Sequence, residues 1–423
     1  MSIAEILPQG EYSLVHVRSR AFQTKPLAMS AHHPKTLKAK HFFLLVESSS
    51  RCPVLALEIY VYLTFENDSL KQHIFVPKAD TSGLGDRRIN VAAVVQVLLD
   101  RIIQTNPGSY LSEPVAWRKD ETEKEKTQTS SPYPTVNILQ TIAAKLKADP
   151  TALEKLPYYG KAHHTTAPDT APPAATATTK VSLFTRSANA YIFPNSELNS
   201  GKHVADGNAL FSWWVRILEN TLRGPWRCMG DLPGAEAAAV NRYLPSQRWT
   251  RGHIFKEDAQ AVREVPVFPD DPKGRFLEHL VVEGRYRSVT VKEFWEELGY
   301  RQEFRLGNVV GIIGCENGDS VSVDRSKPPP GTPVSHKQYK KIVDFVKGED
   351  YNAKTDIQAM TESGLPEVFS QCGVEYEPLK VRGTSAPREV AAKKIAQVNT
   401  LTARKRPAVN NLTGLVRKAP KAP

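Results

Sequence analysis

Residues 55–65, Leu-Ala-Leu-Glu-Ile-Tyr-Val-Tyr-Leu-Thr-Phe, carry the pattern on which the fold turns. Leu55, Leu57, Ile59, Val61 and Leu63 alternate with Ala56, Glu58, Tyr60, Tyr62 and Thr64. That period of two is what a strand needs to lay one apolar face on a core. Upstream, His41 to Val46 reads as an earlier strand, and the polar Ser48-Ser-Ser-Arg-Cys-Pro53 as the hairpin loop between the two. His73 to Pro77 supplies a third strand, so the region reads as an antiparallel meander. The period then changes. Asn90 can cap a helix in which Val91, Val94, Val95, Leu98, Leu99 and Ile102 recur every three or four residues.

Further along, Val181 to Thr185 reads as a strand, and Asp206 caps a helix bearing Leu210, Trp213, Trp214, Ile217 and Leu218. Thr290 and Glu293 form a capping box ahead of Phe294, Trp295 and Leu298, and Ser335 opens a last helix ending near Gly348. Strands followed by helices with no repeat predict an α+β or mixed α/β fold, with a central, partly antiparallel sheet flanked by helices.

Two stretches resist folding: the charged RKDETEKEKTQTSSPYPT from Arg118 to Thr135, and residues 162–179, in which 15 of 18 are Ala, Thr or Pro. Val136 to Lys147 between them has helical spacing. The expected organisation is a domain over residues 1–378, interrupted by a largely disordered insertion at 118–179, and a flexible basic tail over 379–423.

The chain has 423 residues, 40% of them hydrophobic, enough to bury a large core. The first residues, MSIAEILPQGEYSL, lack a basic stretch followed by an apolar run, and nowhere do eighteen apolar residues stand together. Neither secretion nor membrane spanning is expected. Four scattered cysteines form no CxxC pair, which points away from disulfide and thiolate-zinc chemistry.

The net charge of +11 is unevenly placed. From Val381 onward there are ten Lys/Arg against one acid, Glu389. The preceding body is nearly neutral. A basic tail on a neutral body reads as a targeting or docking arm, whereas a duplex-binding domain normally carries its charge on the fold.

The sequence contains no GxGxxG, GxxxxGK[ST], HExxH or GxSxG pattern. The pairs His32–His33 and His163–His164 lie in polar surroundings without partnering ligands, so no metal is expected. Three features stand out. Lys78-Ala-Asp-Thr-Ser-Gly-Leu-Gly-Asp-Arg-Arg88 leaves a strand and runs into a helix. Its turn amides, two arginines and helix N-terminus could hold a phosphate, or it could be an ordinary connection. In Val267-Phe-Pro-Asp-Asp-Pro-Lys-Gly-Arg-Phe276 the prolines fix a turn that could aim Asp271 at an amine, or form plain surface structure. Trp213 and Trp214, about 100° apart on their helix, could divide between core and cleft.

Several ordered blocks between about residue 40 and 352 resemble the fungal Rtt-type histone H3 lysine acetyltransferases. They are HFFLLV with LEIYVYLTF, IFVPKADTSG, SLFTRSANAYIFPNSELNSGKH with FSWWVRIL, VPVFPDDPKGRF, FWEELGYRQEF and SHKQYKKIVDFVKGEDYN. The resemblance implies a fold related to CBP-type acetyltransferases and acetyl-CoA as co-substrate. It implies that Ala79, Asp80 and Thr81 contact acetyl-CoA and that Arg88, Ile89, Asn90, Val91 and Ala92 take its phosphates. It places Phe184, Ala188, His203, Val204, Ala205 and Trp213 along the co-substrate, with Tyr191 and Trp214 beside the reacting centre. Asp271 takes the acid/base position supported by Asp270, and Lys273, near Arg275, matches an autoacetylated lysine. Ala92 and its neighbours are smaller or more apolar than the family's phosphate segment, which leaves backbone contacts there.

The resemblance further implies histone H3–H4 as acceptor, chiefly at core lysine fifty-six, and a nuclear role in chromatin assembly and the DNA-damage response. Delivery would be by histone chaperones of the anti-silencing and nucleosome-assembly-protein types. Two other classes would also use Arg404-Lys-Arg406 and Arg417-Lys418: a non-enzymatic chromatin adaptor and a nucleic-acid module. The neutral body and missing recognition motifs argue against direct sequence-specific nucleic-acid binding.

Overall fold

The computed structural model describes residues 2–29, 34–86, 88–117, 174–301 and 309–386. The 136–147 helix, most of the 118–179 insertion, both histidine pairs, Arg87 and the tail from residue 387 onward lie outside the described residues.

The described strands are β1 (Gly10–Ser19), β2 (Phe22–Thr24), β3 (Thr36–Glu47), β4 (Cys52–Glu66), β5 (Ser69–Thr81) and β6 (Thr176–Arg186), then β7 (Trp226–Asp231), β8 (Trp249–Arg251), β9 (Val310–Asn317), β10 (Val321–Ser322), β11 (Thr332–Val334) and β12 (Leu379–Gly383). They form one mixed sheet with the principal order β11-β1-β3-β4-β5-β6-β9-β7-β8. The β3–β4–β5 meander is antiparallel as expected, and β5 then pairs β6 in parallel. The mixed, partly antiparallel sheet flanked by helices is therefore the architecture that was read from the pattern.

Residue parity divides the sheet into two faces. Leu55, Leu57, Ile59, Val61 and Leu63 enter one core with Val94, Val95, Leu98 and Leu99 of helix Val91–Ile103 and Phe211, Val215 and Leu218 of helix Gly207–Thr221. Asn90 and Asp206 cap those helices as predicted, accepting from Ala93 N at 3.2 Å and Ala209 N at 2.8 Å. The even residues of β4 turn to the second face. There Ala56 joins a core built with helix His336–Lys347, and Tyr60 and Tyr62 join Phe75 and Phe268 in an aromatic patch. A third cluster packs helices Gly274–Val282 and Val291–Leu298 against Val310 of β9.

A bulge decides which residues of β5 reach the second face. The β4–β5 register slips where Tyr60 pairs Phe75 but Glu58 pairs Lys78, with Val76 and Pro77 in between. Phe75 and Lys78 are an odd number of residues apart and would point oppositely in a regular strand; the slip brings Lys78 and Asp80 onto the face of Phe75. The strand expected to stop at Pro77 thus runs on to Thr81, and the proline stands where the ladder is already broken.

Two expected boundaries move. Thr176 to Thr179, within the Ala/Thr/Pro-rich stretch, already belong to β6 and pair with Ser69 to Gln72. Leu379–Gly383, placed in the flexible tail, pairs antiparallel with β1, and Ser385 N bonds Leu7 O at 2.9 Å. In both cases an existing strand offers backbone partners that composition does not display.

Candidate active site

The bulged end of β5 meets a segment more than a hundred residues away. Asp80 is 5% exposed, and its Oδ2 accepts from Tyr191 N at 2.8 Å, Ile192 N at 2.9 Å and Phe193 N at 3.1 Å. Its Oδ1 is paired with the Lys202 ammonium, which also donates to Thr81 O at 2.6 Å. Asp80 thus holds residues 191–193 and 202 against its own turn. Gly83 has φ +73, and a Cβ there would come within 2.6 Å of Lys202 N, so the two backbones can approach only with glycine at this point. Asn199 Nδ2 completes the seam, donating to Ser82 O at 2.8 Å and Tyr351 O at 2.7 Å.

These contacts bring together the two sequence blocks that the resemblance assigns to the co-substrate. Asp80 and Tyr191 come together, and Ser187 Oγ ties to Ala205 O at 2.6 Å. Ala188, His203 and Val204 are exposed along this segment, Val204 to 40%. Ala79, Val91 and Ala92 are partly buried and pack against the first core. Ile89 is buried, and Val91 N bonds Ile89 O at 3.0 Å. Arg88 is engaged bidentately by Asp86, donating from Nε to Oδ1 at 3.1 Å and from Nη2 to Oδ2 at 2.6 Å. Glycine-lined backbone, a helix start and exposed apolar residues suit a long ligand with phosphates and an acyl chain.

The Pro-flanked acidic turn forms the second half. Asp270 has φ +57, a left-handed conformation that aspartate tolerates better than most residues. Its carboxylate is 80% exposed and lies 3.7 Å from Lys78 Nζ, one residue past the bulge. Asp271 turns inward. Its Oδ2 pairs with the Lys273 ammonium and accepts from Phe268 N at 3.3 Å, while Oδ1 accepts from Lys273 N at 3.1 Å. Lys273 Nζ also lies 5.1 Å from the Phe268 ring centroid, and Phe268 stacks on Phe75 at 4.2 Å. A cavity of about 20 Å³ beside Asp271 and Lys273 is lined also by Ser182, Phe184 and Phe268, and has room for about one water.

Aromatic burial sets the electrostatics of this face. Burial pushes Lys38 down to about 7, with Lys40 adding to the shift; its Nζ lies 4.1 Å and 4.8 Å from the Tyr60 and Tyr62 centroids. Burial pulls His73 down to about 3, so it is a neutral ring bonded to Ser182 Oγ at 2.7 Å. Burial raises the Tyr191 hydroxyl and keeps it protonated; it donates to Arg186 O.

Of the tryptophan pair, Trp214 is 6% exposed and packed in the first core, while Trp213 is half-buried and meets it edge-on at 4.9 Å. Both rings thus pack on the first core, Trp214 fully and Trp213 in part, and Trp214, expected beside the reacting centre, is not among the residues around Asp271, where Phe268, Phe75 and Phe184 stand. Arg275 is exposed at the start of helix Gly274–Val282. Lys202 was not singled out in the sequence. Its only local signal is a lysine directly after Gly201, because its partner lies 122 residues earlier.

Known proteins are similar to this chain. The histone acetyltransferase KAT11-type domain family matches residues 1–367. Histone acetyltransferase RTT109 of Candida albicans is 33% identical over 372 residues, covering 84% of this chain and 96% of that protein. Histone acetyltransferase rtt109 of Schizosaccharomyces pombe is 28% identical over 214 residues, covering 45% of this chain and 56% of that one. The crystal structure of Rtt109 from Aspergillus fumigatus shares the fold, with a TM-score of 0.63 at 20% identity over 90% of this chain and 98% of that one. Because the match takes in both turns and every strand of the sheet but Leu379–Gly383, the chain belongs to the KAT11-type histone acetyltransferases, an activity that implies acetyl-CoA as co-substrate and histones as acceptors.

Proposed function

We propose that the chain acetylates histone H3 at core lysine fifty-six, with H3–H4 delivered by a histone chaperone of the anti-silencing or nucleosome-assembly-protein type. The setting is the nucleus, in chromatin assembly and the DNA-damage response. Acetyl-CoA lies along residues 79–92 and 184–213, and the acceptor amine meets it beside Asp271. The observation that carries this placement is the 3.7 Å approach of Lys78 to Asp270, which sets the co-substrate turn and the acidic turn one side chain apart.

An ammonium cannot attack a thioester, and deprotonating a lysine of pKa ~10.4 at pH 7 costs ~4.6 kcal/mol. Asp271 accepts that proton directly or through a water in the adjoining cavity, while Tyr191 and the aromatic walls exclude solvent and orient the amine. Lys273 occupies Asp271 in the unmodified chain. Autoacetylation relieves this: the Lys273 ammonium first gives up one proton to solvent, its Nζ then forms the N–C bond to the acetyl carbonyl, the C–S bond breaks, and coenzyme A leaves as the thiol with the amine's second proton. The resulting amide is neutral, and Asp271 is free to take a proton from substrate.

Incubation with labelled acetyl-CoA and H3–H4, with and without chaperone, followed by mapping of the modified lysines, tests this reading. Lysine fifty-six as the principal chaperone-dependent site is expected. Modification confined to the histone tails would overturn the specificity, and failure to retain acetyl-CoA would overturn the site.

A further inference from the structure

On the second face of the sheet, beside the acidic turn, runs a groove of about 320 Å³. Leu27 and Met29 form one wall and Phe255, Arg263 and Pro266 the other. Two short bonds hold the walls in place: Val267 N to Leu27 O at 2.7 Å and Met29 N to Val262 O at 2.9 Å. The floor is made by Lys71 and His73 of β5 and Thr178 and Lys180 of β6.

The groove is continuous with the catalytic cavity. Phe255 and Pro266 line both, and the His73–Ser182 hydrogen bond joins a floor residue of one to a lining residue of the other. Along β6, Lys180 and Thr178 stand two and four residues from Ser182. At ~3.3 Å per residue that is ~7–13 Å, the distance an extended polypeptide covers in the same number of residues.

The chemistry of the groove is mixed but biased. Lys71 is held by Glu66 at 2.5 Å and Lys180 by Glu316 at 3.1 Å. Arg263 is exposed and has no ion pair among the described residues. Its chain neighbour Glu264 and the paired Glu66 are the acids that line the groove, against Lys71, Lys180 and Arg263.

We propose that this groove binds the acceptor polypeptide two to four residues from the target lysine, with Arg263 pairing a carboxylate and Leu27, Phe255 and Pro266 covering an apolar side chain. The proposal rests on Asp271 marking the reacting centre of the acetyltransferase. Arg263 is then a specificity-determining residue that never touches the transferred acetyl group.

Steady-state kinetics with H3–H4 as the acceptor test it. Arg263→Glu should raise the KM for H3–H4 about tenfold, the scale of a lost charge-assisted hydrogen bond, and leave kcat, the KM for acetyl-CoA and the melting temperature unchanged. A Glu→Lys or Asp→Lys change in the histone, two to four residues from the mapped lysine, should restore Arg263→Glu and impair the unmutated enzyme. An unchanged KM in Arg263→Glu, with the unmutated enzyme active, overturns the groove alone. An unmutated enzyme that leaves H3–H4 unmodified overturns the functional reading itself.

Discussion

The ammonium of Lys273 is paired with Oδ2 of Asp271 where both side chains are nearly out of water, 6% and 1% exposed. Two opposite charges two residues apart are thus buried together at the Pro-flanked turn. Each is the condition for the other's burial, since a lone charge in such a place is strongly destabilising.

Asp271→Ala leaves Lys273 buried without its partner, and a loss of about 3 kcal/mol is expected. For a domain of this size that corresponds to a fall of roughly 4–5 °C in melting temperature. The double change Asp271→Asn with Lys273→Gln removes both charges and should recover most of it. Calorimetry on the three proteins decides, and equal melting temperatures for the single and double variants would refute the coupling.

Asp271→Asn keeps the shape of the turn and removes the proton acceptor, so kcat should fall about a hundredfold or more with acetyl-CoA affinity intact. Lys273→Arg keeps the positive charge and forbids the acetylated state, so histone acetylation should slow. Turnover by Asp271→Asn near that of the unmutated enzyme would leave this carboxylate an orienting group only.

Gly201→Ala places a methyl group against the Gly83 carbonyl oxygen, where backbone meets backbone. Neither side can move without disturbing the Asp80–Lys202 seam. A cost of about 1–3 kcal/mol and a raised KM for acetyl-CoA are expected together. Gly284→Ala, with open space around its Cβ but φ +72, serves as the control for strain remote from the seam.

Burial lowers His16, His41 and His73 below the ordinary histidine value, His73 to about 3. The folded-state values lie below the unfolded ones, so the unfolded chain binds more protons in that window. Stability contributed by these neutral rings is complete above about pH 6.5 and is lost as pH falls toward 3, at up to about 1.4 kcal/mol per pH unit for each ring. Urea midpoints should therefore drop steeply between pH 6.5 and 5, and His73→Gln should flatten that slope. An unchanged slope in His73→Gln would show that His73 does not contribute.

Local signals were legible because their physics is local. The alternation in β4 and the caps Asn90, Asp206, Thr290 and Ser335 each act within a few residues, and each appears in the structure as read. The glycine-containing turn after β5 and the Pro-flanked acidic pair were visible for the same reason. The blocks that resemble the acetyltransferase family pointed to the activity, which the family match across residues 1–367 bears out.

What the sequence by itself determined was the alternation, the caps and the two special turns, because each depends on neighbours a few residues away. Only the tertiary structure decided that β5 slips at Val76–Pro77 so that Asp80 faces Tyr191, that Lys202 closes on it, that Leu379–Gly383 is a strand, and that the groove at Arg263 adjoins the acidic turn. Those outcomes depend on partners far away in the chain. A side chain's face and a backbone's hydrogen bonds are settled only when those partners arrive.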